Sequence, residues 1–349
     1  FLLARSRNLF IFNSEDMKPF LKKLLRFLAP ILVLLAIFLI LYAYKDPFKV
    51  LRPYADYSYS RVFTNRDFVS TSMFIKQYPK NKYNSFIFGS SRTMAYRPEI
   101  WGRYLDHDSR VYVFDAAGES VYGIYHKLKY LDAERVELKN ALIVLCRDFA
   151  FRHDANHEGH LYIKHPATSG ESGLAFQYEF LSAYFSPKFL FNYYAFQVLG
   201  EYKPFMSVYI ENRRVVYDTI TNGTIILDQE EELKANEEAY YANRAHIFYE
   251  RVGEKTDSVQ RINPKHEFML REIKRLLDKN KTQYKVVLSP LYDQTKFNPV
   301  DMSILNGIFR DHLYDFTGKN AITDNKFNYY EISHYRYAVG DSILSNIYK

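Results

Sequence analysis

The chain has 349 residues, 48% of them hydrophobic, which is enough to build a sizeable core in one large domain or two small ones. Its 13 glycines and 12 prolines exclude a collagen-like repeat and wholesale disorder. Part of the formal net charge of +7 lies beside one apolar segment, and the remainder is too weakly basic to indicate a nucleic-acid-binding protein. Because Cys146 is the single cysteine, an internal disulfide framework and a cysteine-rich metal site are also excluded.

Residues 27–44, FLAPILVLLAIFLILYAY, contain no charge and are long enough to cross a hydrocarbon core of about 30 Å as a helix. The basic residues that precede this segment are Lys18, Lys22, Lys23 and Arg26. The charges that follow it are mixed in sign, so the positive-inside rule places residues 1–26 in the cytoplasm. We therefore predict a single-pass protein of the cytoplasmic membrane, with a periplasmic or cell-surface domain after about residue 45.

A cleavable signal peptide is the competing interpretation of the same segment. The residues at its end, YAYKDPF, are bulky and charged and offer no small-x-small cleavage site, so we expect an uncleaved anchor. Met17 begins the sequence MKPFLKKLLRF, which is typical of a natural start. Residues 1–16 are therefore interpreted as a possible upstream translation artefact, and no function is assigned to them.

Beyond a lead-in over residues 45–80, short apolar runs alternate with stretches of helical periodicity. The apolar runs are residues 85–90, 110–117, 140–149 and 284–290, and the helical stretches are residues 121–134, 267–279 and 302–312. Such alternation predicts an α/β fold, a three-layer doubly wound and mostly parallel sheet, over residues 81–349. Residues 151–262 break the rhythm with one aromatic-rich helix at about residues 178–199, a hairpin turning at Asn222 and Gly223, and a charged helical stretch, which predicts an insertion.

Three segments at the predicted ends of strands carry residues suited to nucleophilic catalysis. FGSSRT places Ser91 after a strand, FDAAGES places Gly118 after the next, and YYEISHYRYAVGD places Glu331 three residues before His334. In a parallel sheet, ligands bind beyond the carboxyl ends of the strands, so these segments are expected to meet there. A serine needs a base to take its proton, and the base needs a partner to orient it.

Each of these motifs has a simpler interpretation when it stands alone. Gly-Ser-Ser after a strand is commonly a turn with a helix cap, and a loop glycine commonly serves the backbone conformation. Glu-x-x-His is a frequent pattern in any sequence. The combination, in this chain order, favours the catalytic interpretation.

On these motifs the chain resembles the SGNH/GDSL hydrolase superfamily, especially its membrane-anchored extracytoplasmic branch of envelope polysaccharide O-acetyltransfer and D-alanyl transfer proteins. The nucleophile of the family's first block matches Ser91, and the oxyanion-hole glycine of its second block matches Gly118. Its last block, Asp-x-x-His, matches Glu331 to His334. The resemblance covers roughly residues 80–349. It implies an SGNH/flavodoxin-like sheet, with Ser91 as nucleophile, His334 as base, Glu331 as orienting acid, and Ser91 and Gly118 as oxyanion donors.

The chain departs from the family pattern at two places. The acid is Glu331 rather than aspartate, with Asp324 and Asp341 as nearby alternatives. The third block, usually Gly-x-Asn-Asp, reads Cys-Arg-Asp here and ends in Arg147 and Asp148. The asparagine donor is therefore absent, or Arg147 takes its place in the oxyanion hole. This leaves both an active enzyme and an impaired one open.

Other polar residues near the predicted strand ends are expected to contact substrate. They are Ser90, Arg92, Asp148 and Tyr292, the last of which fits a core position equally well. Four histidines follow the third strand, at positions 153, 157, 160 and 165. Metal ligation by His153 and His157, four residues apart, is one interpretation. We instead predict a polar loop at the substrate entrance, with no metal and no other cofactor.

The sequence thus predicts a membrane-anchored serine acyl-ester hydrolase or O-acyltransferase acting on a cell-envelope or secreted glycan, with acetyl as the expected acyl group. Water as acceptor gives hydrolysis and a sugar hydroxyl gives transfer. A transferase outside the membrane would need a separate membrane protein as acyl-donor transporter. The alternative is a catalytically impaired protein of the same fold that serves as a glycan-binding or export-complex scaffold.

Overall fold

A computed structural model describes residues 14–157 and 159–349 of the chain. Contacts divide the chain into two compact units, Phe1–Pro47 and Phe48–Lys349. Much of the predicted cytoplasmic segment, and of the interpreted artefact at residues 1–16, lies outside the described residues. Residues 48–80, predicted as a lead-in, belong to the larger unit.

The first unit is built on one long helix, α1 (Ser14–Lys45). Within it, Met17–Lys45 is long and apolar enough to cross a membrane, and it is the one such helix among the described residues. At 1.5 Å per residue its 29 residues extend about 43 Å, more than the ~30 Å of a hydrocarbon core. Its length and composition fit a membrane anchor and an N-terminal signal sequence alike.

The second unit is organised around a five-stranded parallel sheet. In chain order its strands are β1 (Ser85–Gly89), β2 (Val111–Val113), β3 (Asn140–Leu145), β4 (Val215–Tyr217), β5 (Thr224–Ile226), β6 (Lys255–Thr256), β7 (Gln283–Leu288), β8 (Thr295–Lys296), β9 (Leu313–Asp315), β10 (Tyr329–Glu331) and β11 (His334–Tyr335). The parallel sheet has the order β2-β1-β3-β7-β9. The order reverses between β1 and β3, which makes the carboxyl ends of these two strands a topological switch point.

The helices of this unit connect and cover the strands. They are α2 (Arg66–Asn81), α3 (Pro98–Trp101), α4 (Val121–Ala133), α5 (Arg147–Ala150), α6 (Pro166–Ser169), α7 (Gly173–Tyr184), α8 (Pro187–Leu199), α9 (Leu227–Ala235), α10 (Glu237–Asn243), α11 (Pro264–Lys279), α12 (Pro299–Phe309), α13 (Ala321–Asp324) and α14 (Tyr337–Ile347). Single 3-10 turns occupy Ser91–Ala95, Gly102–Tyr104, Pro204–Met206, Arg310–His312 and Lys326–Asn328. The aromatic-rich stretch predicted as one helix over about residues 178–199 divides between α7 and α8. The division occurs because Ser186 caps a new helix, with Pro187 at its first position.

Helices cover both faces of the parallel sheet. On one face, Val144 of β3 packs in a core that includes Ile343 of α14. On the other face, Phe114 at the end of β2 stacks on Phe74 of α2, with ring centroids 5.2 Å apart. The prediction of an α/β fold built on a parallel sheet is confirmed.

The lead-in before α2 pairs with the insertion. The amide of Tyr59 donates to the carbonyl of Val215 at 2.9 Å, and the amide of Phe63 donates to the carbonyl of Tyr209 at 3.0 Å. This antiparallel pairing makes residues 57–66 a fixed part of the second unit.

The hairpin of β4 and β5 is antiparallel, with Tyr217 opposite Thr224, so six residues join the two strands. The predicted two-residue Asn-Gly turn is therefore wrong in length, although Asn222 does adopt a positive φ of 62°. The Asn222 side chain donates to the carbonyl of Val113 at 2.6 Å and accepts from Arg66 at 2.9 Å. These bonds hold the loop at the end of β2.

Candidate functional site

The candidate nucleophile follows a turn that only glycine can make. β1 ends at Gly89, whose φ is +149°, and a Cβ added there would lie 2.5 Å from the carbonyl oxygen of Val144. No side chain fits so close to the neighbouring strand. The chain then turns sharply into the 3-10 helix that begins at Ser91, at the switch point of the sheet.

The Glu-x-x-His motif forms a tight hairpin in which Glu331 of β10 pairs with His334 of β11. His334 Nδ1 is hydrogen-bonded to Glu331 Oε1, and Glu331 Oε2 accepts from the amide of Ser333 at 2.6 Å. His334 Nε2 lies 2.7 Å from Ser91 Oγ. When the proton is assigned to Nδ1, Nε2 accepts the hydrogen bond of the Ser91 hydroxyl. The structure thus brings the three predicted catalytic residues within hydrogen-bond distance.

The two alternative acids have other partners. Asp341 accepts from Arg97 at 2.5 Å, and Asp324 accepts from Gln294 at 2.7 Å. Glu331 is therefore the carboxylate that orients His334.

The helix after His334 packs directly on the turn that carries Ser91. A Cβ added to Gly340 of α14 would lie 2.0 Å from the carbonyl oxygen of Ala95, at the end of the 3-10 helix. The missing side chain lets the two backbones touch. This contact holds the segments of His334 and Ser91 in a fixed relation.

Burial raises the pKa of the Glu331 carboxyl, but the hydrogen bonds from His334 and Ser333 outweigh it and leave the pKa below its usual value. The charge of Arg92 acts in the same direction. Arg92 is itself almost fully buried, with its guanidinium 3.7 Å from Asp148. Its positive charge therefore acts on the Glu331 carboxylate from a buried position.

A cavity of about 210 Å³, the inner cavity, opens beside Ser91 and His334. Its apolar and aromatic lining consists of Tyr57, Val62, Phe63, Met94, Ala117, Val215, Tyr217 and Ile226. Its charged lining forms two ion pairs, Arg66 with Asp115 and Arg213 with Glu211, each at 2.7 Å. Because the charges cancel within each pair, these four residues give the inner cavity no net charge.

The two further oxyanion residues predicted from the sequence lie outside the lining of the inner cavity. Gly118 is in the left-handed region, with φ +57°, and it is its neighbour Ala117 that lines the cavity. The guanidinium of Arg147 donates to Asp293 at 2.5 Å and to the carbonyl of Thr295 at 3.2 Å. Arg147 therefore ties α5 to the loop after β7, and we no longer count it among the oxyanion donors.

The remaining predicted substrate contacts lie at different depths. The hydroxyl of Ser90 faces the Cys146 sulfur at 3.6 Å within the buried end of the sheet. Asp148 bridges Arg92 and Arg147 at the surface. Tyr292 lies in the core, which was the alternative to a substrate contact: its side chain is buried and donates to the carbonyl of Tyr249 at 3.0 Å.

The lining residues from the lead-in and the hairpin were not predicted from the sequence. Two signals in the sequence mark other parts of the cavity region. Asp115 ends an apolar run, where a charge at a strand end is typical of a site. Asn65 before Arg66 is a helix cap, which marks where α2 begins.

Behind the loop after β2 lies a buried charge cluster of Asp67, Glu119, Lys127 and Lys164, each at most 2% exposed. Lys127 is 2.5 Å from Glu119 and 3.0 Å from Asp67, and Lys164 is 2.5 Å from Glu119. Lys127 also donates to the carbonyl of Asp115 at 2.9 Å. The cluster fixes the loop that supplies Asp115 and Ala117 to the inner cavity.

The four histidines after β3 pack against other rings. His160 lies near Phe48, Phe180 and Tyr209, with centroid distances of 5.1, 6.1 and 6.1 Å. Burial lowers the pKa of His160 to about 4. The rings of His153 and His157 are 3.8 Å apart, but among the described residues no group of three or more metal-ligating side chains is found.

We expect His160→Phe to reduce the acid sensitivity of the fold. The pKa of His160 is about 4 in the folded chain and about 6.5 in the unfolded chain. The unfolded state therefore binds more protons between these pH values, and the free energy of unfolding falls as the pH drops from 6.5 to 4. Phenylalanine keeps the ring packing without a proton site. Between pH 7 and 4.5, the free energy of unfolding of the variant should fall by about 2 kcal/mol less than that of wild type. Denaturant unfolding of the full-length chain in detergent measures this difference.

Ser303→Ala, at an exposed serine that has no proton site in this pH range, provides the control and should leave the pH dependence as in wild type. An identical loss of stability in His160→Phe and wild type would contradict the assignment of acid sensitivity to this ring.

No protein-family model matches the chain, and no curated protein matches its sequence. The residues and distances of the site itself are therefore the basis for the functional proposal.

Proposed function

We propose that the chain is a serine acyl-ester hydrolase or O-acyltransferase of the SGNH/GDSL type, held in the cytoplasmic membrane by α1 and acting outside it on a glycan. The observation that carries the proposal is the 2.7 Å approach of Ser91 Oγ to His334 Nε2, with Glu331 bound to the opposite ring nitrogen. The basic residues before the apolar segment support an extracytoplasmic second unit.

In the proposed reaction, Ser91 Oγ attacks the carbonyl carbon of an acyl ester while His334 Nε2 takes the hydroxyl proton. Glu331 holds the imidazole by Nδ1 and stabilises its positive charge. Collapse of the tetrahedral intermediate breaks the ester bond, and the leaving alcohol takes the proton from His334. The acyl group then remains on Ser91 until water or a second hydroxyl attacks it.

Stabilisation of the oxyanion rests on fewer donors than in the family pattern. The backbone amides of Ser91 and Gly118 are the proposed donors, and no asparagine follows β3. Loss of one such donor typically costs ~10²–10³ in turnover. The buried charge of Arg92 offsets part of this loss, because an anion near it is stabilised in a medium of low polarity. We therefore propose a specialised enzyme of modest turnover.

The inner cavity favours an uncharged acyl group and has room for acetyl. Its volume is about 210 Å³, and its ion pairs leave no free charge to bind an anionic acyl chain. Acetyl is the simplest group of this kind.

Labelling with a fluorophosphonate probe tests the proposal. In the full-length chain in detergent, we expect a single modification at Ser91 by mass spectrometry. It should be absent in Ser91→Ala and much slower in His334→Ala, because the hydroxyl is activated by the histidine. Ser303→Ala, an exposed serine of α12, should label as wild type. Absence of labelling in a folded wild-type chain would favour the scaffold alternative.

A further inference from the structure

A second and larger cavity adjoins the inner cavity. This outer cavity has a volume of about 790 Å³, within the usual range of ligand sites. Met94, Asp115 and Thr224 line both cavities. The two cavities are therefore neighbours.

A third, narrow space of about 20 Å³ shares lining residues with both cavities. Its lining includes Ser91 and His334 as well as Glu230 and Tyr337. Glu230 and Tyr337 also line the outer cavity. Met94 borders all three spaces, and its flexible side chain can widen the narrow space by a change of rotamer. The shared lining therefore places the outer cavity next to Ser91 and His334.

The outer cavity is acidic. Its carboxylates are Glu99, Asp115, Asp218, Glu230, Glu231 and Asp341, and its cations are Arg97 and Lys234. Arg97 pairs with Asp341, and Arg66 and Arg214 neutralise Asp115 and Glu231 from outside the lining. Three carboxylates therefore remain against the single charge of Lys234. An excess of carboxylates repels anions and accepts hydrogen bonds from hydroxyl and amino groups.

We infer that the outer cavity binds the acyl acceptor, a neutral or amino-bearing sugar, so that the chain transfers acyl groups rather than only hydrolysing them. The inference rests on the proposed function. A sugar hydroxyl enters from the outer cavity and attacks the acyl carbon on Ser91, while its proton passes to His334 Nε2. The new ester leaves, the bond between Ser91 Oγ and the acyl carbon breaks, and Oγ regains its proton from His334.

Acetyl transfer from p-nitrophenyl acetate tests the inference with the full-length chain in detergent. The measured quantity is the amount of acetylated sugar formed per p-nitrophenolate released. Methyl glucoside and glucosamine should be acetylated at least fivefold more than glucuronate, because the acidic lining disfavours the carboxylate.

Two variants locate the acceptor. Ala338→Trp fills the outer cavity from an exposed position on α14 and should lower the transfer ratio at least fivefold. Ala133→Trp, at an exposed alanine of α4, is the matched control and should keep the ratio. Glu99→Lys removes a free carboxylate and should narrow the difference between methyl glucoside and glucuronate. Glu99→Lys keeps the test informative if Ala338→Trp does not fold.

Hydrolysis at Ser91 without transfer to any of the sugars would overturn the inference and leave the proposed function standing. A transfer ratio that is the same in Ala338→Trp and wild type would overturn the location of the acceptor. Absence of both hydrolysis and transfer would overturn the proposed function, and the inference with it.

Discussion

Replacement of His334 by alanine is expected to lower the turnover of an acetyl ester by about 10⁴–10⁶-fold, since Ser91 then has no base. Glu331→Gln should lower it by about 10²–10⁴-fold, because the amide disturbs the tautomer and no longer stabilises the imidazolium. The contacts that carry this expectation are the bonds from Ser91 to Nε2 and from Glu331 to Nδ1.

Initial rates of p-nitrophenyl acetate hydrolysis by the full-length chain, corrected for spontaneous hydrolysis, measure both losses. His107→Ala, at an exposed histidine, is the control and should retain the wild-type rate. The assignment of Ser91, His334 and Glu331 as a triad would be wrong if the hydrolysis rate of a folded His334→Ala variant fell by less than tenfold. The order of the two effects is also diagnostic, because an orienting residue costs less than the base itself.

Lys127→Met is expected to lower the free energy of unfolding by about 3–5 kcal/mol. In the buried charge cluster, Lys127 lies between Glu119 and Asp67, and these carboxylates then face Lys164 alone. Burial lowers the pKa of the Lys127 ammonium, but the two carboxylates outweigh it, so the lysine stays charged and its removal leaves an unpaired buried anion. Denaturant unfolding of the full-length chain in detergent measures the effect.

Two variants separate the effect of the lost charge from the effect of the lost side-chain packing. Lys129→Met, at an exposed lysine of the same helix, should change the free energy of unfolding by less than about 0.5 kcal/mol. Lys127→Met combined with Glu119→Gln restores the balance of charge and should be more stable than Lys127→Met alone. A double variant less stable than the single one would show that the cost comes from packing.

The sequence was sufficient to predict the parallel sheet and the approach of Ser91, Glu331 and His334 to one another at its edge. Apolar runs of strand length mark β1, β3 and β7, and parallel strands present their carboxyl ends on one side. Ser91 and His334 could be paired because each lies in a motif with its own local signature. The segment predicted as one helix over residues 178–199 divides at Pro187, a stop signal present in the sequence itself.

Contacts between distant segments could not be predicted. The pairing of Phe63 with Tyr209 joins residues far apart in sequence, and neither segment has a periodicity that indicates a partner. The role of Arg147 depends on Asp293, which reaches it only through the fold of the loop after β7. One sequence contains no signal for such pairs, so the inner cavity wall could not be assigned in advance.

The pairing of the lead-in with the insertion also decides where the chain can be cut. A soluble form released by a protease, or made by truncation, must keep the chain from Phe48 onwards, because residues 57–66 form one wall of the inner cavity. A cut near residue 80, just before the first catalytic motif, would strip that wall away. It would also leave the backbone of residues 209–215 as an unpaired edge. Such an edge promotes aggregation between the released molecules.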